Sequence, residues 1–190
     1  MTTTSAPRRR VAAGLIGAAG TLLVLAYAVF AVLQIQVLNP LATMPGSTLG
    51  EIRAAVGRTG DSMGWGLMIA TLVPGPLLAA ALTLAAARGH LSARAMLACV
   101  LALLTLGSLA YLFASFPAGM TLADTFMVDG ADHSPWGNLL HAISLASLGA
   151  LMVLGAVSAL GGLRRTAQLS ATPRPAEIAD PRPAERSTER

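Results

Sequence analysis

The chain has 190 residues, of which 54% are hydrophobic and only 12% charged, against about a quarter charged in soluble domains. That balance excludes an ordinary soluble globule, a soluble four-helix bundle included, because a run such as 22–33 is apolar all round and leaves no face for water. The net charge of +4 is no nucleic-acid footprint: all 13 basic residues are arginines, placed at the ends of apolar runs, in the first long loop or in the tail, not on one continuous face.

Four stretches, 11–50, 62–87, 95–123 and 133–163, contain no Asp, Glu, Lys or Arg, and each can hold a membrane-spanning helix. The first span is expected over 11–37. At about 1.5 Å per residue it reaches about 40 Å, beyond a hydrocarbon core of about 30 Å, so it tilts or projects. Arg8, Arg9 and Arg10 precede it as in a signal peptide. The apolar run, however, reaches Leu38, about twice the usual length, and no small-residue cleavage site closes it. Residues 1–10 are therefore read as a basic cytoplasmic N-terminus, and Asn39-Pro40 is expected to stop the helix.

In the loop over 38–62, Thr48 and Glu51 have the spacing of a capping box, and Ile52, Ala55 and Val56 share a face. They predict a short amphipathic helix in the first outer loop, lying on the membrane surface or covering the bundle. The second span is expected over 63–87, ending at Arg88-Gly89-His90. The third is expected over 95–115, holding Cys99, the only cysteine, and closing at Phe116-Pro117. The fourth is expected over 135–162, with Ser134 as N-cap and Pro135 at the first helical position. Residues 163–190 are rich in Pro and Arg, repeat Pro-Arg-Pro-Ala-Glu at 173–177 and 181–185, and read as a disordered cytoplasmic tail.

The flanking charges give the spans a direction. Arg8, Arg9, Arg10, Arg88, Arg94, Arg164 and Arg165 fall on one side, against Arg53 and Arg58 on the other, while the third connection carries Asp124, Asp129 and Asp132. The positive-inside rule then places both termini in the cytoplasm and two loops outside, with Trp65 and Trp136 at outer helix ends. Ala13, Gly17 and Thr21, then Ala79, Thr83 and Ala87, then Ala142, Ala146 and Ala150 recur at four-residue steps, a spacing that lets helices approach closely, expected within the chain, with packing between chains the alternative. The expected fold is all-α: a polytopic membrane protein with its four transmembrane helices in a bundle.

Two places could carry chemistry. Around the outer end of the fourth helix lie Asp124, Asp129, Asp132, His133, Asn138 and His141, with Ser144 one turn beyond. Carboxylates and imidazoles can hold a divalent metal or sense protons, although His133 and His141 do not have a ligand spacing and a metal is left open. The bland alternative is a histidine bonded to a neighbouring helix beside a solvated acidic loop. At the middle of the second span, Pro74, Gly75 and Pro76 form a candidate hinge, in which Pro74 frees the carbonyl of Ala70 and Pro76 that of Leu72; a plain kink is the alternative.

Several activities are disfavoured by what the spans lack. No carboxylate, Arg, Lys or His lies deep in any of them, which argues against ion-coupled transport. A single cysteine excludes thiol-disulfide chemistry, the histidines are badly placed for a transmembrane bis-His haem, and neither His-Glu-x-x-His nor Gly-x-Ser-x-Gly occurs. No cofactor is expected. Phe116-Pro117, a polar loop and then Gly137-Asn138-Leu139-Leu140-His141 resemble the first four helices of an uncharacterised family of bacterial polytopic membrane proteins. The resemblance implies a helical membrane protein and no particular reaction.

The expected function is that of a non-enzymatic small integral protein of the plasma membrane, an accessory or structural component. Its partners are the lipid bilayer and another membrane protein or a second copy of itself, not nucleic acid. A small transporter or channel is the alternative, and a metal-dependent enzyme at the outer face is the weaker one.

Overall fold

The computed structural model describes residues 5–171 and the side chains of residues 10–163. Among these residues every regular element is a helix. α1 (Ser5–Leu33) passes through a π turn (Gln34–Leu38) into α2 (Asn39–Thr43). Then come α3 (Leu49–Arg58), α4 (Trp65–Leu72), α5 (Pro74–Ala87), α6 (Ala93–Phe126) and α7 (Gly137–Ala171). Four helical stretches, Arg10–Thr43, Trp65–Ala87, Ala93–Phe126 and Gly137–Leu163, are long and apolar enough to cross a membrane. The chain divides into two compact units, Met1–Met152 and Val153–Arg190. In the second, the described part of α7 exposes Val153, Val157, Leu160 and Leu163. The expected tail starts at 163, but α7 continues through Ala171, and residues 172–190 lie outside the described part.

Three expected helix boundaries are moved by the structure. Asn39-Pro40 does not stop the first helix. Pro40 has no N–H, and its ring would crowd the carbonyl of Gln36 in a regular α-turn. The π turn widens the backbone there, with the Asn39 N–H bonded to the Gln34 carbonyl, and the helix runs on to Thr43. The Gln36 carbonyl instead accepts from Arg53 Nη2 at 3.5 Å. Phe116-Pro117 does not end the third helix either: α6 continues to Phe126 with Pro117 inside it. Pro117 packs against Gly64, where a Cβ would lie 2.6 Å from the proline Cβ. The following turn buries Ala118, Gly119, Thr121 and Leu122, so packing offsets the one missing bond. Lastly, α7 begins at Gly137, preceded by tight turns in which the amides of Gly137, Asn138 and Leu139 bond the carbonyls of Ser134, Pro135 and Trp136. The Ser134 hydroxyl does not cap the helix; it donates to Gln34.

The Thr48–Glu51 capping box forms at the start of α3, and Ile52 and Val56 are buried. Within the first unit α1 packs along α5 and α6, and α4 along α6. Small residues set the approach. A Cβ on Gly17 would meet Thr83, and the hydroxyls of Thr21 and Thr83 lie 2.9 Å apart. A Cβ on Gly20 would stand 2.9 Å from Val100 Cγ1 and 3.1 Å from its Cβ. In α7 the packed face is Leu140, Ser144 and Ser147, whereas Ala142, Ala146 and Ala150 are exposed. The expected alanine face of the fourth helix is thus turned away, because Leu140 is fully buried and the Ser144 hydroxyl donates to the Leu104 carbonyl at 2.8 Å.

Protein packing covers little of the apolar surface. Only 11–28% of the residues in the four apolar windows are buried, and side chains such as Leu22, Leu77 and Leu145 stand 65–70% exposed. In water each would forgo about 1.5–3 kcal/mol of burial; in a bilayer lipid solvates them.

Gly20→Ala should overpack against the β-branched Val100 and cost about 1–3 kcal/mol in thermal unfolding of the detergent-solubilised protein. Gly14→Ala, with nothing within 4 Å of its Cβ, should be neutral or stabilising by up to about 1 kcal/mol. Bonds from the Thr48 backbone amide and then its hydroxyl hold the Glu51 carboxyl below its ordinary value. A depressed carboxylate stabilises the fold above its unfolded value of about 4.3, and that contribution disappears as pH falls through the lower folded value. Carboxyl-carbon NMR titration of Glu51 should therefore give a midpoint below the ordinary one, and Thr48→Val should move it back up.

Candidate functional site: the 129–141 segment and the α1–α2 junction

The polar centre of the first unit is built around amides that sit inside an apolar run. Gln34 is fully buried, Gln36 is 2% exposed and Asn39 5% exposed. A buried amide atom without a partner costs several kcal/mol; Gln34 and Asn39 find partners for theirs, while Gln36 bonds through Nε2 and its Oε1 is buried without one among the described residues. Asn39 Oδ1 accepts from the backbone amides of His133 at 2.7 Å and Ser134 at 3.3 Å. Gln34 Nε2 donates to the Ser134 carbonyl at 3.4 Å, and Gln34 Oε1 accepts from the Ser134 hydroxyl at 3.1 Å. Gln36 Nε2 donates to the Met63 carbonyl at 3.1 Å. Two residues of the α1–α2 junction thus hold the segment before α7, and a third holds the segment before α4.

The six polar residues singled out around the fourth helix do not converge on one point. His133 Nε2 stands 3.3 Å from Asp129 Oδ1. Its Nδ1 lies 3.3 Å from the Thr43 hydroxyl and 3.1 Å from the Ala131 carbonyl. Asp132 receives the Tyr111 hydroxyl at 2.5 Å on Oδ2. His141 pairs with Ser108 through Nδ1 at 2.5 Å, and its ring stands T-shaped to that of Tyr111, 5.6 Å between centroids. Asp124 and Asn138 are exposed and outside these pairs. Among the described residues no three His, Cys, Asp or Glu side chains come together to hold a metal ion. His133 and His141 belong to separate networks, one reaching Thr43 at the end of α2 and the other Ser108 in α6.

The carboxylate of Asp132 lies over the first residue of α7. A Cβ on Gly137 would fall 2.6 Å from Asp132 Oδ2, so a larger residue there would push the carboxylate aside. A negative charge at that end of a helix is favourable. The backbone comes as close on the α6 side, where a Cβ on Gly119 would lie 2.6 Å from the Gly130 carbonyl oxygen. Between α6 and this turn is a cavity of about 190 Å³, with Tyr111, Ser115, Phe116, Asp132 and His141 in its wall.

Ser108 and His141 form a hydroxyl–imidazole pair, but acyl transfer also needs donors for a developing oxyanion. The nearby amides of Gly137, Asn138 and Leu139 are already bonded to carbonyls.

At the second candidate site the backbone stays helical. Val73, between α4 and α5, has φ −71° and ψ −36°, its N–H bonds the Ile69 carbonyl, and Pro74 takes the first position of α5. The Thr71 hydroxyl bonds the carbonyls of Leu67 and Met68 in its own helix. Beside Pro74, Gly75 and Pro76 lies a cavity of about 200 Å³, walled by apolar groups that include Val24 and Gly107.

Sequence pattern alone does not single out Gln34, Gln36, Asn39, Tyr111 or Ser108 as site residues. The available signal is three amides within six positions of an uncharged run, since polar groups in such helices seek interhelical partners. Compared with protein-family models, curated proteins and solved structures, the chain matches none.

Asn39→Ala should leave the amides of His133 and Ser134 without their acceptor and cost about 1–3 kcal/mol. Hydrogen exchange at those two amides should accelerate, and Asn39→Asp, which keeps an oxygen there, should slow it again.

Proposed function

We propose that this chain is a non-enzymatic integral protein of the plasma membrane that acts as an accessory or structural component. Its four spans form a bundle with both termini cytoplasmic. α3 and the 127–136 segment lie on the outer side, where the chain meets a protein partner or a second copy. The observation that carries this reading is how the polar side chains are used. Gln34 and Asn39 bind backbone of the connection before α7, and the acidic and imidazole groups pair off separately instead of converging on a reacting atom. Rigid presentation of a loop fits that arrangement better than turnover does. The likeness to the uncharacterised bacterial family belongs to this proposal and brings no reaction with it. The cavity beside Pro74–Pro76 supports the second reading, a small carrier, and its apolar wall suits an apolar solute rather than an ion.

Membranes washed with alkaline carbonate should retain the protein. In a Cys99→Ala background, a membrane-impermeant maleimide applied to intact cells should label Thr59→Cys and spare Ser92→Cys. Release by carbonate would defeat the membrane reading, and reversed labelling would defeat the orientation alone. Liposomes bearing the protein should stay tight to small solutes; a solute flux that Gly75→Leu abolishes would favour the carrier.

A further inference from the structure

The cavity beside Tyr111 has chemistry that the accessory reading leaves unused. Asp132 contributes a carboxylate whose Oδ2 is taken by the Tyr111 hydroxyl, and among the described residues no cationic side chain pairs with it. Asp129, three residues earlier, has His133. Ser115 donates its hydroxyl to the Leu112 carbonyl at 3.2 Å, which leaves the oxygen's lone pairs to accept. Phe116, 64% exposed, adds an aromatic ring to the same wall. At about 190 Å³ the space exceeds several times the about 30 Å³ that one water occupies in the liquid.

We propose that this cavity binds a primary ammonium group carried on an alkyl or acyl tail. The ammonium pairs with Asp132, donates to the Ser115 oxygen and lies against the Phe116 ring. Charge-assisted hydrogen bonds to a carboxylate are the strong class of such contacts, and an aromatic face adds cation attraction. The tail runs over the apolar surface of α6 next to the cavity, where Leu112 is 54% and Phe113 58% exposed. An ammonium headgroup of a membrane lipid and a free amphipathic amine share this chemistry. An anionic ligand is excluded by the carboxylate. The proposal rests on the membrane reading only where the ligand is a lipid.

Calorimetric titration of the full chain in a neutral maltoside detergent would use hexylammonium chloride, with hexanol as the uncharged control and sodium chloride matching the ionic strength. Saturable hexylammonium binding is expected, weakened about tenfold or more by Asp132→Asn, the scale of a lost hydrogen bond to a charged group. Phe116→Leu, at an exposed position that packing does not depend on, should also weaken it. Asp124→Asn should not. In a parallel arm, native mass spectrometry of protein mixed with phosphatidylethanolamine or phosphatidylglycerol assigns the source. Retention of the ethanolamine lipid, lost in Asp132→Asn, identifies a headgroup; hexylammonium binding without lipid preference identifies a free amine. The proposal is overturned if neither probe binds, if hexanol binds as well as hexylammonium, or if Asp132→Asn leaves binding unchanged in protein that still melts cooperatively. Carbonate release would count against the membrane reading alone, because the titration in detergent decides amine binding independently of it.

Discussion

An amide buried in an apolar helix is costly unless it is bonded where it stands, and the first unit meets that requirement at Gln34 and Asn39, though Gln36 Oε1 is left without a partner among the described residues. Gln34 and Asn39 cannot turn to water, so the connection before α7 is brought to them and gives up two backbone amides, a carbonyl and a hydroxyl. The π turn makes this geometry available. It admits Pro40 without a break, and it lies at the point where three polar side chains follow one another in six residues. A regular α-helix would advance each of them by about 100° per residue; widening one turn changes which of them face inward. The kink tolerance of Pro40 and the anchoring of the distant 131–136 segment are therefore one feature.

Small residues complete the arrangement by letting the helices come near enough for short polar side chains to reach across. Gly17 admits Thr83, and the Thr21–Thr83 contact lies one turn further on. Gly107 leaves room for the ring of Tyr27, whose hydroxyl reaches the Leu140 carbonyl and Ser144. Ser144 in turn donates to Leu104. Each of these bonds spans helices distant in sequence, and a glycine stands beside Thr83 and beside Tyr27. Within lipid, where water does not compete and apolar packing against a helix gains little over packing against tails, such contacts decide which helices pair.

The four apolar stretches are plain in the sequence because absence of charge over 18 or more residues needs no knowledge of partners. The capping box of α3 is equally legible, since Thr48 and Glu51 act on each other across one turn. What is not legible depends on contacts between distant segments. Asn39-Pro40 and Phe116-Pro117 read locally as stops, but a proline removes one hydrogen bond, and packing at Ala118, Gly119 and Leu122 outweighs it. Ala142, Ala146 and Ala150 have the right spacing for a packed face, yet spacing alone cannot say which of two opposite faces turns inward. The polar candidates do not meet at one point, although Asp132 and His141 share the wall beside Tyr111. Their partners, Thr43, Ser108 and Tyr111, come from elsewhere in the chain, and so the group divides.

That division bears on function. A catalytic or metal site concentrates groups on one point and leaves some valence open for the reacting species. Here Asp129 faces His133, Ser108 faces His141, and the first amides of α7 bond the carbonyls of the turn before it. Asp132 differs from Asp129, since its one bonded partner is a neutral hydroxyl and no cationic side chain pairs with it among the described residues. A carboxylate can be held in such a place by the start of a helix alone, and Gly137 supplies that start. The position then does two things at once: it fixes the charge against α7, and it leaves that charge facing a space large enough for a cation from outside the chain.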